Sequence, residues 1–225
     1  MPLAYVLQSR PYRETSALLE LLTVDAGRIG AVARGARGAK SRLRGSLQPF
    51  ALLDVGLTGR GELKTLTHAD LESPTPVLAA ERVLFGWYLN ELVLKLLARE
   101  DPHPRLFAAY ACAIEAPRGD AAESALRQFE WALLHEIGLG LAELPAGEGG
   151  HWAWQAGGAW RPAEDGRGVA RSTLAALANP ALSLDAQQRR EARRLLKPML
   201  DHALGGRRLA SSQLMQAFRA RAPSA

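Results

Sequence analysis

Thr15-Ser16-Ala17-Leu18-Leu19-Glu20-Leu21-Leu22-Thr23-Val24 is the stretch on which the fold turns. By periodicity alone its leucines fit a helix as well as a strand. The β-branched residues Thr15, Thr23 and Val24 favour extended chain, and Asp25-Ala26-Gly27 closes it as a turn. Read as a strand, it is the second of a series. Tyr5-Val6-Leu7 opens the first, and Arg28-Ile29-Gly30-Ala31-Val32-Ala33 forms the third. Phe50–Leu57 is the fourth and Glu62–Thr67 the fifth, joined by Thr58-Gly59-Arg60-Gly61. Short strands separated by Gly-rich turns predict a small closed β-barrel.

Ser73-Pro74-Thr75-Pro76 ends the pattern, because proline cannot donate to a strand ladder. Helical periodicity then covers Val77–Arg99, Leu106–Ala116 and a segment from Asp120 to Ile137. Asp120 with Glu123 three residues later predicts a capping box. Short connections predict antiparallel packing of these three helices. Residues 141–168 form a Gly- and Trp-rich insert, with Trp152, Trp154 and Trp160 in a predicted β-hairpin. Helices resume at Ser172–Leu177, Asp185–Leu204 and Ser211–Phe218, and Ala222–Ala225 reads as a frayed tail. The fold class is therefore α+β: a barrel domain over 1–72 followed by a helical domain over 77–225.

The 225 residues carry a net charge of +5, unevenly spread. Residues 1–70 hold 10 Lys/Arg against 6 Asp/Glu, residues 71–186 hold 9 against 15, and residues 187–225 hold 9 against 2. Basic ends flanking an acidic middle suggest a polyanion partner. Arg28, Arg34, Arg37, Lys40, Arg42 and Arg44 follow one another with no acid between Gly27 and Ala51. Interleaved Gly and Ala let such a backbone approach phosphates, and each neutralised phosphate releases counterions. Arg60 and Lys64 add charge near the fourth turn. A solvated flexible loop is the plainer reading. In the second basic region Arg189, Arg193 and Lys197 share one helical stripe and Arg190 and Arg194 the next, with Arg207-Arg208 beyond. A solvated helix face explains these as well as DNA contact does.

Catalysis finds little support. The histidines His68, His103, His135, His151 and His202 have no metal-ligand spacing, and no Gly-Lys-Ser/Thr triplet occurs. Gly59-Arg60-Gly61 lacks the rest of a dinucleotide fingerprint. Cys112, the one cysteine, excludes an internal disulfide and a cysteine-rich zinc site. The reading is of a protein that is not an enzyme, needs no cofactor and no metal, and has neither membrane span nor signal peptide, hence a cytoplasmic protein.

These residues resemble the bacterial RecO family of DNA-repair proteins over nearly the whole chain. The resemblance rests on Ser9-Arg10-Pro11-Tyr12-Arg13-Glu14-Thr15-Ser16, Gly35-Ala36-Arg37 and Leu43-Arg44-Gly45-Ser46-Leu47-Gln48-Pro49-Phe50. Gly59–Leu66, Tyr88-Leu89-Asn90-Glu91-Leu92, Leu126-Arg127-Gln128-Phe129-Glu130 and Leu196-Lys197-Pro198 continue it in order. It implies an N-terminal OB-fold and an α-helical C-terminal domain. It further implies a recombination mediator, nucleoid-associated, that binds single- and double-stranded DNA and anneals complementary strands. With RecR such a protein helps load RecA on strands coated by single-strand-binding protein. It also implies that Arg127 holds the acidic, apolar tail of that coat protein; physically, an arginine suits a terminal carboxylate, and Leu126 and Phe129 beside it are expected to wall a pocket. Some family members carry a four-cysteine zinc module in the insert. Residues 141–168 here contain no cysteine, so a zinc-free insert is expected. The alternative function is a protein-interaction adaptor whose cationic surfaces bind acidic protein tails.

Overall fold

The structure is a computed structural model and describes residues 2–41, 43, 45–75, 80–141, 143, 150–155, 159–163 and 168–221. It contains two compact units: Met1–Phe107 with Leu209–Ala225, and Ala108–Arg208.

The first unit is built on five strands, β1 (Leu3–Tyr12), β2 (Ser16–Thr23), β3 (Gly27–Ala33), β4 (Leu52–Thr58) and β5 (Leu63–Leu71). They close into a barrel in the order β1-β2-β3-β5-β4, with β3 and β5 parallel and the other pairs antiparallel. Val6, Leu19, Leu21, Ala31, Ala33, Leu53 and Val55 fill the interior at every second position. The leucine-rich stretch is thus a strand. Its helix-like spacing arises because Leu22 is also fully buried, on the opposite face from Leu21. Tyr5, the register partner of Leu22, stacks on Phe107 with ring centroids 5.3 Å apart.

Two side chains explain why helix α1 (Ala80–Leu96) belongs to this unit. The β1 register slips between Val6 and Gln8, and Asn90 donates to the Leu7 carbonyl at that bulge, at 2.7 Å. A methyl group on Gly86 would come within 2.6 Å of the ring of Phe50, so glycine sets the approach of α1. Phe50 is a buried non-glycine residue at φ 74, which places it ahead of β4 and not within the strand that the sequence assigned to it. The predicted start of this helix at Val77 lies outside the described residues. Helix α6 (Ala210–Arg221) is capped from a distance, as the Glu91 carboxylate accepts from the Ala210 and Ser211 backbone N–H groups at 2.9 Å. These contacts draw the compact units differently from the linear division at 73–76.

Helix α2 (Pro104–Glu115) runs from the first unit into the second. The second unit adds α3 (Asp120–Glu136), a small sheet of β6 (His151–Gln155), β7 (Ala159–Ala163) and β8 (Val169–Ala170), then α4 (Arg171–Ala178) and α5 (Ala186–Leu204). The principal partner of α3 is α5, not a neighbour in an antiparallel trio of consecutive helices. The predicted hairpin is present, with Trp154 opposite Trp160, and β8 extends it on the other side of β6. Trp160 meets Trp131 of α3 edge-on, and Trp154 meets His202 of α5.

The capping box expected at Asp120 is not formed. Gly119 is the N-cap of α3 and has no side chain to offer, while Asp120 lies inside the first turn. The capping box is at α5: the Gln188 backbone N–H donates to Asp185 at 2.8 Å, and the Asp185 N–H donates to Gln188 at 2.9 Å. Glu191 of α5 in turn holds the start of α4, accepting from the Ala170 N–H and the Thr173 hydroxyl. The predicted tail Ala222–Ala225 lies outside the described residues.

Candidate nucleic-acid interface

Position on the barrel sorts the sequence-predicted cations into different classes. Arg34, Arg37 and Lys40 follow β3 and are exposed. Arg42 and Arg44 lie outside the described residues. The turn is pinned, not free: the Arg37 backbone N–H donates to the Thr15 carbonyl at 2.7 Å, and its guanidinium lies 3.4 Å from the Arg13 carbonyl. This brings the β1–β2 turn beside the β3–β4 connection. Arg10 and Arg13, both exposed, therefore share this end of the barrel with Arg34 and Arg37. Sequence reading missed these two as charge carriers. The signal was present in Ser9–Ser16, which had served only for the family resemblance.

Arg28 is a correction. Its side chain is 15% exposed, lies 3.7 Å from the buried Glu20 and donates to the Leu94 carbonyl. Arg99 also pairs with Glu20. Burial lowers the Arg28 pKa against the opposing pull of Glu20, and the Arg99 charge lowers it further. Arg28 thus fastens the barrel to the end of α1 and is not presented to a polyanion. Lys64 is likewise committed, 2.6 Å from Glu100. Arg60 is exposed, but its turn leads into Leu63, which pairs in parallel with Gly30. The register puts Arg60 toward the start of β3, whereas Arg34 follows its end.

The second unit divides in the same way. Arg189 is consumed internally, 2.8 Å from Asp120, 3.6 Å from Glu123 and donating to the Leu184 carbonyl at 2.7 Å. Arg193, Arg190 and Arg194 are exposed on α5. Lys197 makes an exposed ion pair with Asp201 at 2.7 Å, a contact worth little in water. Arg207 folds back onto the Leu204 carbonyl at 2.9 Å, and Arg208 is exposed beside it.

The tail-binding trio is not open as expected. Phe129 is fully buried and packs edge-on against Tyr110, so it forms core and not a pocket wall. Leu126 is half-buried. Arg127 is largely covered and donates to the buried Glu130 at 2.6 Å, while its Nε is buried without a partner. Between them, Gln128 donates to the carbonyls of Ala176, Asn179 and Leu182, tying α3 to the last turn of α4 and the segment after it. Among the described residues no cluster of His, Cys, Asp and Glu could hold a metal ion, and no helix is long and apolar enough to cross a membrane.

The chain matches the family model Recombination protein O N terminal over residues 3–75 and Recombination protein O C terminal over residues 79–143. It is 41% identical to the DNA repair protein RecO of Laribacter hongkongensis over 222 residues, covering 94% of this chain and 92% of the relative. Similarity to the DNA repair protein RecO of Nitrosococcus oceani is 42% over 228 residues, with 96% and 92% covered. For that of Halorhodospira halophila it is 41% over 228 residues, with 96% of both chains covered.

Proposed function

The chain belongs to the RecO family of DNA repair proteins, and from that premise we propose that it is a non-enzymatic recombination mediator. It binds single- and double-stranded DNA and anneals complementary strands. With RecR it helps load RecA onto strands coated by single-strand-binding protein, in the cytoplasm and at the nucleoid. The observation that carries this reading is the end of the barrel where two connections converge. Arg10, Arg13, Arg34, Arg37 and Lys40 are exposed there, and the connection from Gly27 to Ala51 brings no carboxylate with it. Long guanidinium side chains on pinned turns suit phosphate contacts, which position a strand without reading its sequence. Annealing needs that property, because strands must be held whatever their sequence.

The test is direct. Complementary oligonucleotides coated with single-strand-binding protein are mixed with the protein at low salt, and duplex formation is followed. Acceleration is expected, and its absence refutes the reading. Incubation of labelled DNA with magnesium is expected to leave the strands uncut.

We also assign the coat protein's acidic tail to Arg127, as the family resemblance implies. The ion pair with Glu130 sets a condition on this: a tail carboxylate competes with a carboxylate already in place. Arg127→Ala is expected to abolish binding of the tail peptide, and Glu130→Gln to tighten it. Undiminished binding after Arg127→Ala would remove the tail from this helix.

A further inference from the structure

Between β1 and the β3–β4 connection, at the cationic end of the barrel, lies a cavity of about 340 Å³. Ser9, Arg10 and Pro11 of β1 line one side of it, and Leu47, Gln48 and Pro49 of the β3–β4 connection line another. Arg37 stands with them, and Ala17 and Ala36, both buried, line it as well. We propose that this cavity receives one unpaired nucleobase of a bound DNA strand, with Arg10 and Arg37 holding the phosphates that flank it.

The chemistry of the walls supports that occupant. A base is flat and apolar on its faces and polar at its edge. Pro11, Pro49 and Leu47 offer apolar surface, and the two prolines lose no rotamer freedom on contact. Among the described residues Ser9 and Gln48 carry the only uncharged polar side chains of the lining, and each can both donate to and accept from a base edge. An amide and a hydroxyl, with their adjustable donors, select no single base, which fits a protein that must accept any sequence. Two guanidinium groups on the same lining supply the charge that a nucleotide needs and an apolar ligand would not. Among the described residues Arg10 has no ion-pair partner, and the Arg37 guanidinium makes only long contacts, to the Arg13 and Glu14 carbonyls. Among the described residues no aromatic ring lines the cavity, so the base sits unstacked there.

The proposal rests on the DNA-binding reading above and deepens it. Drawing one base out of the stack fixes the strand on the barrel while its neighbours remain open for pairing. The cost of unstacking is lowest for a single strand, so the cavity favours unpaired DNA over duplex.

The experiment uses the full chain and a short single strand carrying one 2-aminopurine between purines, whose fluorescence is quenched by stacking. DNA binding is measured separately by anisotropy of an end label. Wild type is expected to raise the 2-aminopurine signal on saturation. Ser9→Leu, which fills the cavity, and Gln48→Leu, which removes its amide, are each expected to lose that rise while the strand still binds. Two variants on different elements guard against one of them misfolding, as checked by circular dichroism. A free deoxynucleoside monophosphate is the competing source of the same chemistry. If it binds the wild type at the cavity and the 2-aminopurine rise stands unchanged while the strand remains bound, the cavity takes free nucleotides but not those of the bound strand, and the proposal falls. Strand binding without any 2-aminopurine response in the wild type overturns the base cavity and leaves the DNA-binding reading intact. A response equal in wild type and both variants also overturns it. No strand binding at all removes both.

Discussion

Replacing Arg34 and Arg37 together by alanine takes two exposed cations from the turn after β3 and breaks no ion pair among the described residues. Each phosphate contact to a single strand contributes about 0.7 to the slope of log affinity against log salt, so the double variant should flatten that slope by about 1.4. At about 0.1 M salt the same relation makes the loss of affinity about 25-fold. Arg28→Ala is the matched control, since sequence placed it in the same run. Its guanidinium serves Glu20 and the Leu94 carbonyl and has little access to solvent. Removing one partner of a buried pair typically costs about 3–5 kcal/mol, and the hold that Arg99 keeps on Glu20 puts the loss at the lower end. The assay is fluorescence anisotropy of a labelled oligonucleotide over a salt series, with urea unfolding of each variant. Arg28→Ala should lower the urea midpoint and leave the slope unchanged. A flattened slope in Arg28→Ala at unchanged stability, or an intact slope in the double variant, would refute the division of these arginines.

Gly86→Ala pits about 1 kcal/mol of helix propensity against the Phe50 ring, where overpacking costs about 1–3 kcal/mol, so the urea midpoint should fall despite the better helix former. Asp185→Ala breaks both halves of the capping box of α5 and should cost about 1 kcal/mol in thermal unfolding, whereas Asp120→Ala loses no cap. Glu191 is buried, which alone would raise its pKa, but hydrogen bonds from Thr173, Gln187 and the Ala170 N–H outweigh burial and leave it below the ordinary 4.5. A depressed carboxyl contributes stability that is present above its unfolded value and lost as pH falls through the folded one. Wild type should therefore lose stability more steeply than Glu191→Gln below about pH 4.5, and parallel curves would show that Glu191 is not the group responsible.

Alternation and turn chemistry were enough to place the five barrel strands, because an inward face at every second residue is a local property of the chain. The helices of both units were legible for the same reason, from periodicity and from breakers such as Pro74 and Gly138. The strand starting at Phe50 was misplaced because nothing local announces a left-handed phenylalanine; α1 fixes that ring through the gap at Gly86. The N-cap at Asp120 failed since several offsets of the same residues satisfy a capping pattern, and backbone geometry decides among them.

Charge behaves differently again. The sequence by itself determined that the barrel carries an arginine run without intervening acids, and that no cysteine framework could bind metal in the insert. Only the tertiary structure decided which arginines are free. Arg28 and Arg34 are alike in composition and neighbourhood, but pairing of β2 with β3 sets Glu20 opposite Gly30, and Arg99 arrives from 79 residues away. Arg189 and Arg193 share one stripe of α5, yet Asp120 and Glu123 of α3 reach only the former. A cation's availability depends on the carboxylates brought to it in space, and that information is set by packing and not by order along the chain.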